Sequence, residues 1–256
     1  MSESITSPRN QRLRELKRLR QRKHRRERGR FVAEGEDLVA EALRHGVVPE
    51  TVFSVQGAGL PFSLPTGVEH VEATAEALSA VSSLGSGARV IGVFAQPHPS
   101  ELGRVRAAAV YLHDIADPGN VGTVLRAAHA FAADAVVLSE RTADPFSPKA
   151  VRASMGAVFA MPVARAGLHE ARAALGLRAV ALVPNTGTPL RGLAFEQPLL
   201  FVLGAERTGL PESLIRSCDE VAHVPLAPGG ADSLNVAMTA TLCLYESAAH
   251  TLLSDG

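Results

Sequence analysis

Apolar residues along this chain come in two rhythms, and the two alternate. Short continuous apolar runs read as strands: Val47–Val48 with Val52–Val55, Val68–Val71, Arg89–Ala95, Ala107–His113, Ala135–Leu138, Val158–Met161, Arg178–Val183, Leu199–Leu203 and Val221–Leu226. Between them lie stretches with helical spacing. Gln11–Arg28 places Leu13, Leu16 and Leu19 at i, i+3 and i+6, a thin apolar stripe under a cationic surface, with Ser7–Asn10 as the turn before it. Residues 30–43 start as a short strand, turn at Gly35 and continue as an amphipathic helix ending before Gly46. A short helix is expected around 73–82. Val121, Val124, Leu125 and Ala128 form one face of a helix running to Ala133, and further helices are expected at 147–156, 168–175 and 236–249. Asp232 and Ser233 are both candidates for the N-cap of the last one.

Strands that are apolar throughout and spaced by helices indicate a parallel sheet covered on both faces. The fold class is therefore α/β. A small α/β domain over residues 1–97 is followed by a larger one over 105–256, with the Pro-containing stretch 96–100 as linker.

Charge sharpens this picture. The chain has zero formal net charge, yet residues 9–30 hold twelve of its 26 Lys and Arg against only Glu15 and Glu27. A basic arm on a neutral chain points to a polyanionic partner such as RNA, and the lack of aromatics in the arm favours electrostatic contact over stacking. Cys218 and Cys243 are too few for a disulfide framework or a zinc site. The N-terminus has no apolar signal core and no run approaches a membrane span, so a cytoplasmic location is expected.

Four loops at carboxyl ends of strands, 114–122, 184–189, 204–209 and 225–233, are rich in Gly, Pro, Asn and acids, where open α/β sheets collect ligands. Gly119 and Gly122 lack the G-x-G-x-x-G spacing of a dinucleotide site, and no G-K-[ST] of a phosphate-binding loop occurs. A Gly-rich loop running into a helix start, as at 227–236, leaves free N–H donors for a polar ligand.

Three ordered blocks carry more. Asp117-Pro-Gly-Asn-Val-Gly-Thr-Val-Leu-Arg126, Leu203-Gly-Ala-Glu-Arg-Thr-Gly-Leu210, and Val224-Pro-Leu226 through Ser233-Leu-Asn-Val-Ala237 to Glu246 together resemble the SpoU (TrmH-type) family of RNA 2′-O-ribose methyltransferases. Ser147–Ala157 is also similar, and the head around Ser7–Asn10 and Phe31–Gly35 is similar to the substrate-binding extension of rRNA-directed members.

The resemblance implies a SPOUT fold with a C-terminal trefoil knot, S-adenosylmethionine as methyl donor, no metal, a homodimer and a structured RNA substrate, large-subunit rRNA ahead of tRNA. It implies that Asn120, Arg126, Glu206, Ser233 and Asn235 form the catalytic site, with Glu206 pairing with Arg126. Val183, Gly204, Val224, Leu226, Ser233 and Leu234 would contact the cofactor. A guanidinium stays protonated and makes a poor base, so Arg126 is read as holding phosphate and stabilising a developing alkoxide. His113, His129 and His223 are read as structural. Two positions depart from the family: Ala132 where glycine is usual, and Met238-Thr239 in place of a smaller or Val-rich run. A tRNA ribose methyltransferase and a non-catalytic RNA-binding or ribosome-assembly protein of this fold are the alternatives.

Overall fold

The structure, a computed structural model, describes residues 4–85, 87–97, 105–195 and 197–254. The expected linker at 96–100 lies outside them from residue 98 onward. The described residues fall into two units, one within Met1–Pro97 and Asp144–Ala160, the other within His98–Ala143 and Met161–Gly256.

The first unit begins with α1 (Gln11–Arg18) and α2 (Arg22–Arg28). The single basic helix expected over 11–28 is broken, and its apolar stripe shows why. Leu13, Leu16 and Leu19 are all buried, packed into one core with Val32, Phe53 and Ile91, so the segment is docked. At the break, the buried Arg25 guanidinium donates to the carbonyls of Leu19 and Arg20, each at 2.8 Å. A side chain thus takes acceptors that a continuing helix would have used. Asn10 caps α1, as the Ser7–Asn10 turn suggested, by accepting from the Arg12 N–H at 2.9 Å.

Then come β1 (Arg30–Glu34), α3 (Glu36–Arg44), β2 (Thr51–Val55), β3 (Glu69–Ala73), α4 (Ala75–Ser79) and β4 (Val90–Ala95). The sheet runs β1-β4-β2-β3, with β4 antiparallel to both neighbours and β2 parallel to β3.

In the second unit β5 (Ala108–Leu112) leads to α5 (Pro118–Ala130) and β6 (Ala135–Leu138). The chain then contributes α6 (Pro148–Ser154) to the first unit before returning as β7 (Val163–Arg165). The strand expected at 158–161 is instead a 3₁₀ turn, Ala157–Phe159, whose Phe159 ring packs tilted against those of Phe94 and Phe31, with centroids 4.9 Å and 5.8 Å away. Its apolar run serves an aromatic cluster, and an apolar run of that length does not by itself distinguish strand from turn.

After β7 follow α7 (Leu168–Leu175), β8 (Arg178–Leu182), β9 (Thr188–Pro189), β10 (Leu199–Leu203), α8 (Glu212–Arg216), β11 (Glu220–His223) and α9 (Val236–Ser254). All pairings in the seven-stranded sheet β7-β6-β5-β10-β8-β11-β9 are parallel. The central strands β5 and β10 are buried at every residue, as their unbroken apolar sequences required. β10 lies between β5 and β8, so four neighbouring strands, β5, β10, β8 and β11, aim their carboxyl ends at one edge. That edge is where loops 114–122, 183–187, 204–209 and 224–235 converge. No described helix is long and apolar enough to cross a membrane.

Candidate functional site

Each loop is held by local chemistry. Asp114, at φ 54°, accepts from the Ser139 hydroxyl at 2.8 Å and from Arg141. Burial pushes its carboxyl up, but the hydrogen bonds from Ser139 and Arg141 and the nearby His113 outweigh this and hold it below the ordinary range. Three residues on, Asp117 caps α5 by accepting from the Gly119 N–H at 2.7 Å, with Pro118 at the first helical position. Asn120 therefore sits in the first turn of α5.

The loop after β10 turns tightly: Gly209, at φ 65°, donates to the Ala205 carbonyl at 2.8 Å. A Cβ on Gly204 would collide with the Gly209 and Leu210 backbone, so this turn admits only glycine there. The turn presents Glu206 outward.

The third loop differs from expectation at its end. Neither Asp232 nor Ser233 caps α9. The chain stays irregular to Asn235, whose Oδ1 accepts from the Ala237 N–H at 2.9 Å. Residues 232–234 are thereby left to wall a cavity instead of entering the helix.

These three loops meet in a directional relay. The Ala237 N–H can only donate, so it assigns Oδ1 of Asn235 as acceptor and turns Nδ2 outward. That Nδ2 donates to Asn120 Oδ1 at 3.1 Å, which in turn directs Asn120 Nδ2 onto Glu206 Oε1 at 2.6 Å. One helix-start amide thus orients three side chains from three loops. The structure brings together Asn120, Glu206 and Asn235.

Arg126 does not join them. It lies six residues beyond Asn120 on α5, roughly 9 Å along the axis at the usual rise. It is exposed, and among the described residues it makes no hydrogen bond or ion pair. Glu206 accepts from Asn120, and among the described residues no Glu206–Arg126 pair is formed. Ser233 is also outside the relay but lines the adjoining cavity.

That cavity, about 430 Å³, holds all six residues expected to contact a cofactor: Val183, Gly204, Val224, Leu226, Ser233 and Leu234. Its walls combine apolar residues with polar ones, Glu206, Arg207, Thr208, His223, Asp232, Ser233 and Thr239. This combination suits a flat heteroaromatic group carrying a polar tail. Gly187, at φ 81°, lets the loop after β8 approach the Val221 carbonyl, where a Cβ would collide. Among the lining residues that the sequence reading did not assign to the site are His223, read as structural, and Thr239, one turn into α9. Neither spacing nor composition distinguishes them.

Burial raises the Cys218 thiol to about 11 and pushes the fully buried Cys243 thiol up further, so neither is a thiolate near neutral pH. Among the described residues no cluster of three or more His, Cys, Asp or Glu side chains is arranged to hold a metal ion.

A parallel α/β sheet whose carboxyl edge carries a small-molecule cavity beside a fixed polar relay defines the class of open-sheet α/β proteins that take a ligand at the strand ends. Comparison with known proteins narrows it. The model of the SpoU rRNA methylase family matches residues 107–245, and that of an MRM3-like substrate binding domain matches residues 10–92. The chain is 32% identical over 245 residues to the Bacillus subtilis (strain 168) 23S rRNA (guanosine(2553)-2′-O)-methyltransferase RlmP, covering 94% of this chain and 97% of that protein. The solved structure of an AdoMet-bound rRNA methyltransferase from Sinorhizobium meliloti is similar with a TM-score of 0.81 and 32% identity, covering 97% of this chain and 98% of that one. The SpoU methyltransferase AviRb from Streptomyces viridochromogenes, in complex with the cofactor AdoMet, gives a TM-score of 0.82 at 25% identity, covering 95% and 99%. The chain belongs to the SpoU rRNA methylase family.

Proposed function

We propose that this protein is an S-adenosylmethionine-dependent methyltransferase acting on a ribose 2′-oxygen of 23S rRNA in the cytoplasm. The observation that carries the reading is the adjacency of the cavity to the Asn235–Asn120–Glu206 relay. Similarity to AdoMet-bound neighbours and to a 23S rRNA 2′-O-methyltransferase supports it.

When bound, the cofactor supplies an electrophilic methyl group. Val183, Val224, Leu226 and Leu234 would hold its apolar portion, while Gly204 keeps the loop beside it tight and Ser233 offers a hydroxyl at the rim. The relay holds Asn120 and Glu206 in one orientation before RNA arrives, which lowers the ordering cost of the reactive geometry. Arg126, with its fork of donors uncommitted, is suited to grip the target phosphate and stabilise the developing alkoxide. Its positive charge argues against proton abstraction by Arg126 itself.

We further read residues 1–97 as the RNA-binding portion and 105–256 as the catalytic portion, the latter carrying the family's C-terminal knot. The active form is a homodimer. Supporting the dimer, α9 exposes Met238, Leu242 and Tyr245 at i, i+4 and i+7, an apolar stripe of 60%, 37% and 50% exposure.

The test is calorimetric titration of the full chain with S-adenosylmethionine, alongside methyl incorporation into 23S rRNA. Arg126→Ala is expected to abolish transfer while leaving cofactor affinity near wild type. A folded protein that binds no S-adenosylmethionine would remove the enzyme reading, and transfer within about tenfold of wild type in the variant would remove the role of Arg126.

A further inference from the structure

The first unit contains a second cavity, about 310 Å³, between the basic helices and the sheet. Its floor is apolar: Leu16, Leu19, Phe53 and Val93 line it and are otherwise buried, at 4%, 6%, 5% and 8% exposure. Its rim is charged, and the rim charges are of two kinds.

Arg12 donates to Glu69 at 2.6 Å, and Arg30 pairs with Glu50 at 2.6 Å. These two pairs tie α1 to β3 and β1 to the residue preceding β2, so they hold the rim in shape. Arg18 and Arg28 also line the cavity, yet among the described residues neither side chain makes a hydrogen bond or ion pair. The Glu15 carboxylate, on the same rim, likewise makes no hydrogen bond or ion pair among the described residues. The cavity therefore combines an apolar floor with two guanidiniums and one carboxylate that are uncommitted among the described residues.

We propose that this cavity binds one unpaired nucleotide of the RNA substrate, its base on the apolar floor and its flanking phosphates on Arg18 and Arg28. The inference rests on the RNA-methyltransferase reading above and adds a subsite to it. Guanidinium forks match phosphate oxygens, while a base offers an apolar face to the floor and a donor edge that Glu15 can accept. The volume lies at the small end of ligand pockets, enough for a nucleotide-sized group and too small for a duplex. Unpaired nucleotides are also what proteins read in RNA with sequence selectivity. An acidic protein segment would satisfy the two arginines but would set its carboxylates against Glu15 and leave the floor unused. The basic helices thus do more than present charge: together with the sheet they form a receptacle.

The test uses the full chain and fluorescence anisotropy with a labelled short single-stranded oligoribonucleotide of mixed sequence, and with the same strand annealed to its complement. The double variant Arg18→Ala/Arg28→Ala is compared with Arg14→Ala/Arg26→Ala, which removes the same charge from exposed positions outside the cavity. The pocket variant should lose at least about tenfold in single-strand affinity, with the slope of log K against log salt reduced by about 1.4, two phosphates at roughly 0.7 each. The other variant should lose less than about threefold, and calorimetric S-adenosylmethionine affinity should be equal in all proteins.

Equal losses in the two variants would overturn the pocket in favour of a diffuse cationic face. An equal loss for the duplex would reduce it to a backbone clamp, and tighter binding of polyglutamate than of RNA would assign it to an acidic protein partner. In these cases the methyltransferase reading survives, as shown by intact cofactor binding. A wild-type chain that binds neither RNA nor S-adenosylmethionine would sink both.

Discussion

Asn235 illustrates how much a single residue can set. Its side chain caps α9, and the cap decides which of its amide atoms faces Asn120. The orientation of Glu206, contributed by a separate loop, then follows. Ala132 is instructive in the opposite sense. It occupies a position where the family usually has glycine, and its φ is 52°, in the left-handed region that costs a side chain roughly 1–2 kcal/mol. Glycine also gains freedom in the unfolded chain, which offsets part of the benefit. Ala132→Gly is therefore expected to stabilise the protein by up to about 1 kcal/mol, read as a raised denaturant midpoint at unchanged slope. A lowered midpoint would show that the strain is already relieved elsewhere. The departure from the family pattern was visible in the sequence, but its cost was not, because a backbone angle is not written in composition.

Among elements, those fully buried or strongly periodic were legible. β6, β10 and α7 have the bounds their apolar patterns indicate. The break between α1 and α2 was not legible, since residues 11–28 contain no Gly or Pro and the decisive partner is remote. Arg25 bonds the end of α1 and also Asp144, at 2.5 Å and 2.9 Å, with the two side chains only 2% and 11% exposed. Removing one member of a buried pair leaves the other charge uncompensated, typically at 3–5 kcal/mol. Arg25→Ala should destabilise the first unit by several kcal/mol, detectable as increased amide exchange in α1 and α2. Exchange unchanged from wild type would mean the helix break has another cause. Because Leu13, Leu16 and Leu19 belong to this core, truncating the basic segment would damage the unit itself. Point variants are the sound probe of its RNA contacts.

At the scale of the whole molecule, acid stability follows from two carboxyls. Asp114 anchors the loop before α5. Asp219 accepts from the Ala179 N–H at 2.7 Å and pairs with Arg172. For Asp219 burial pushes upward, but the Ala179 N–H and Arg172 prevail, so both groups lie below the ordinary 3.8 when folded. A depressed folded-state value contributes stability that is complete above the unfolded value and is lost as pH falls through the folded one. Chemical denaturation should thus show stability declining below about pH 4. Asp219→Asn should flatten that decline, and an undiminished slope in the variant would discount the role of Asp219. Assembly belongs to this scale too. Met238→Asp with Tyr245→Asp should convert a sedimenting dimer to monomer, whereas a wild-type monomer would exclude the dimer reading.

The sequence by itself determined the α/β class, the parallel character of the larger sheet and, through three ordered blocks, the loops that line the cavity. It did so because burial on both faces and loop chemistry leave local, readable traces in residue type. Only the tertiary structure decided that Asp144–Ala160 packs into the first unit, that the basic helix breaks, and that Glu206 answers Asn120 and not Arg126. The two relay bonds join residues 86 and 115 positions apart, and the Arg25–Asp144 pair spans 119. Contacts at such separations have no period along the chain, so they emerge only when the tertiary fold brings the two segments together.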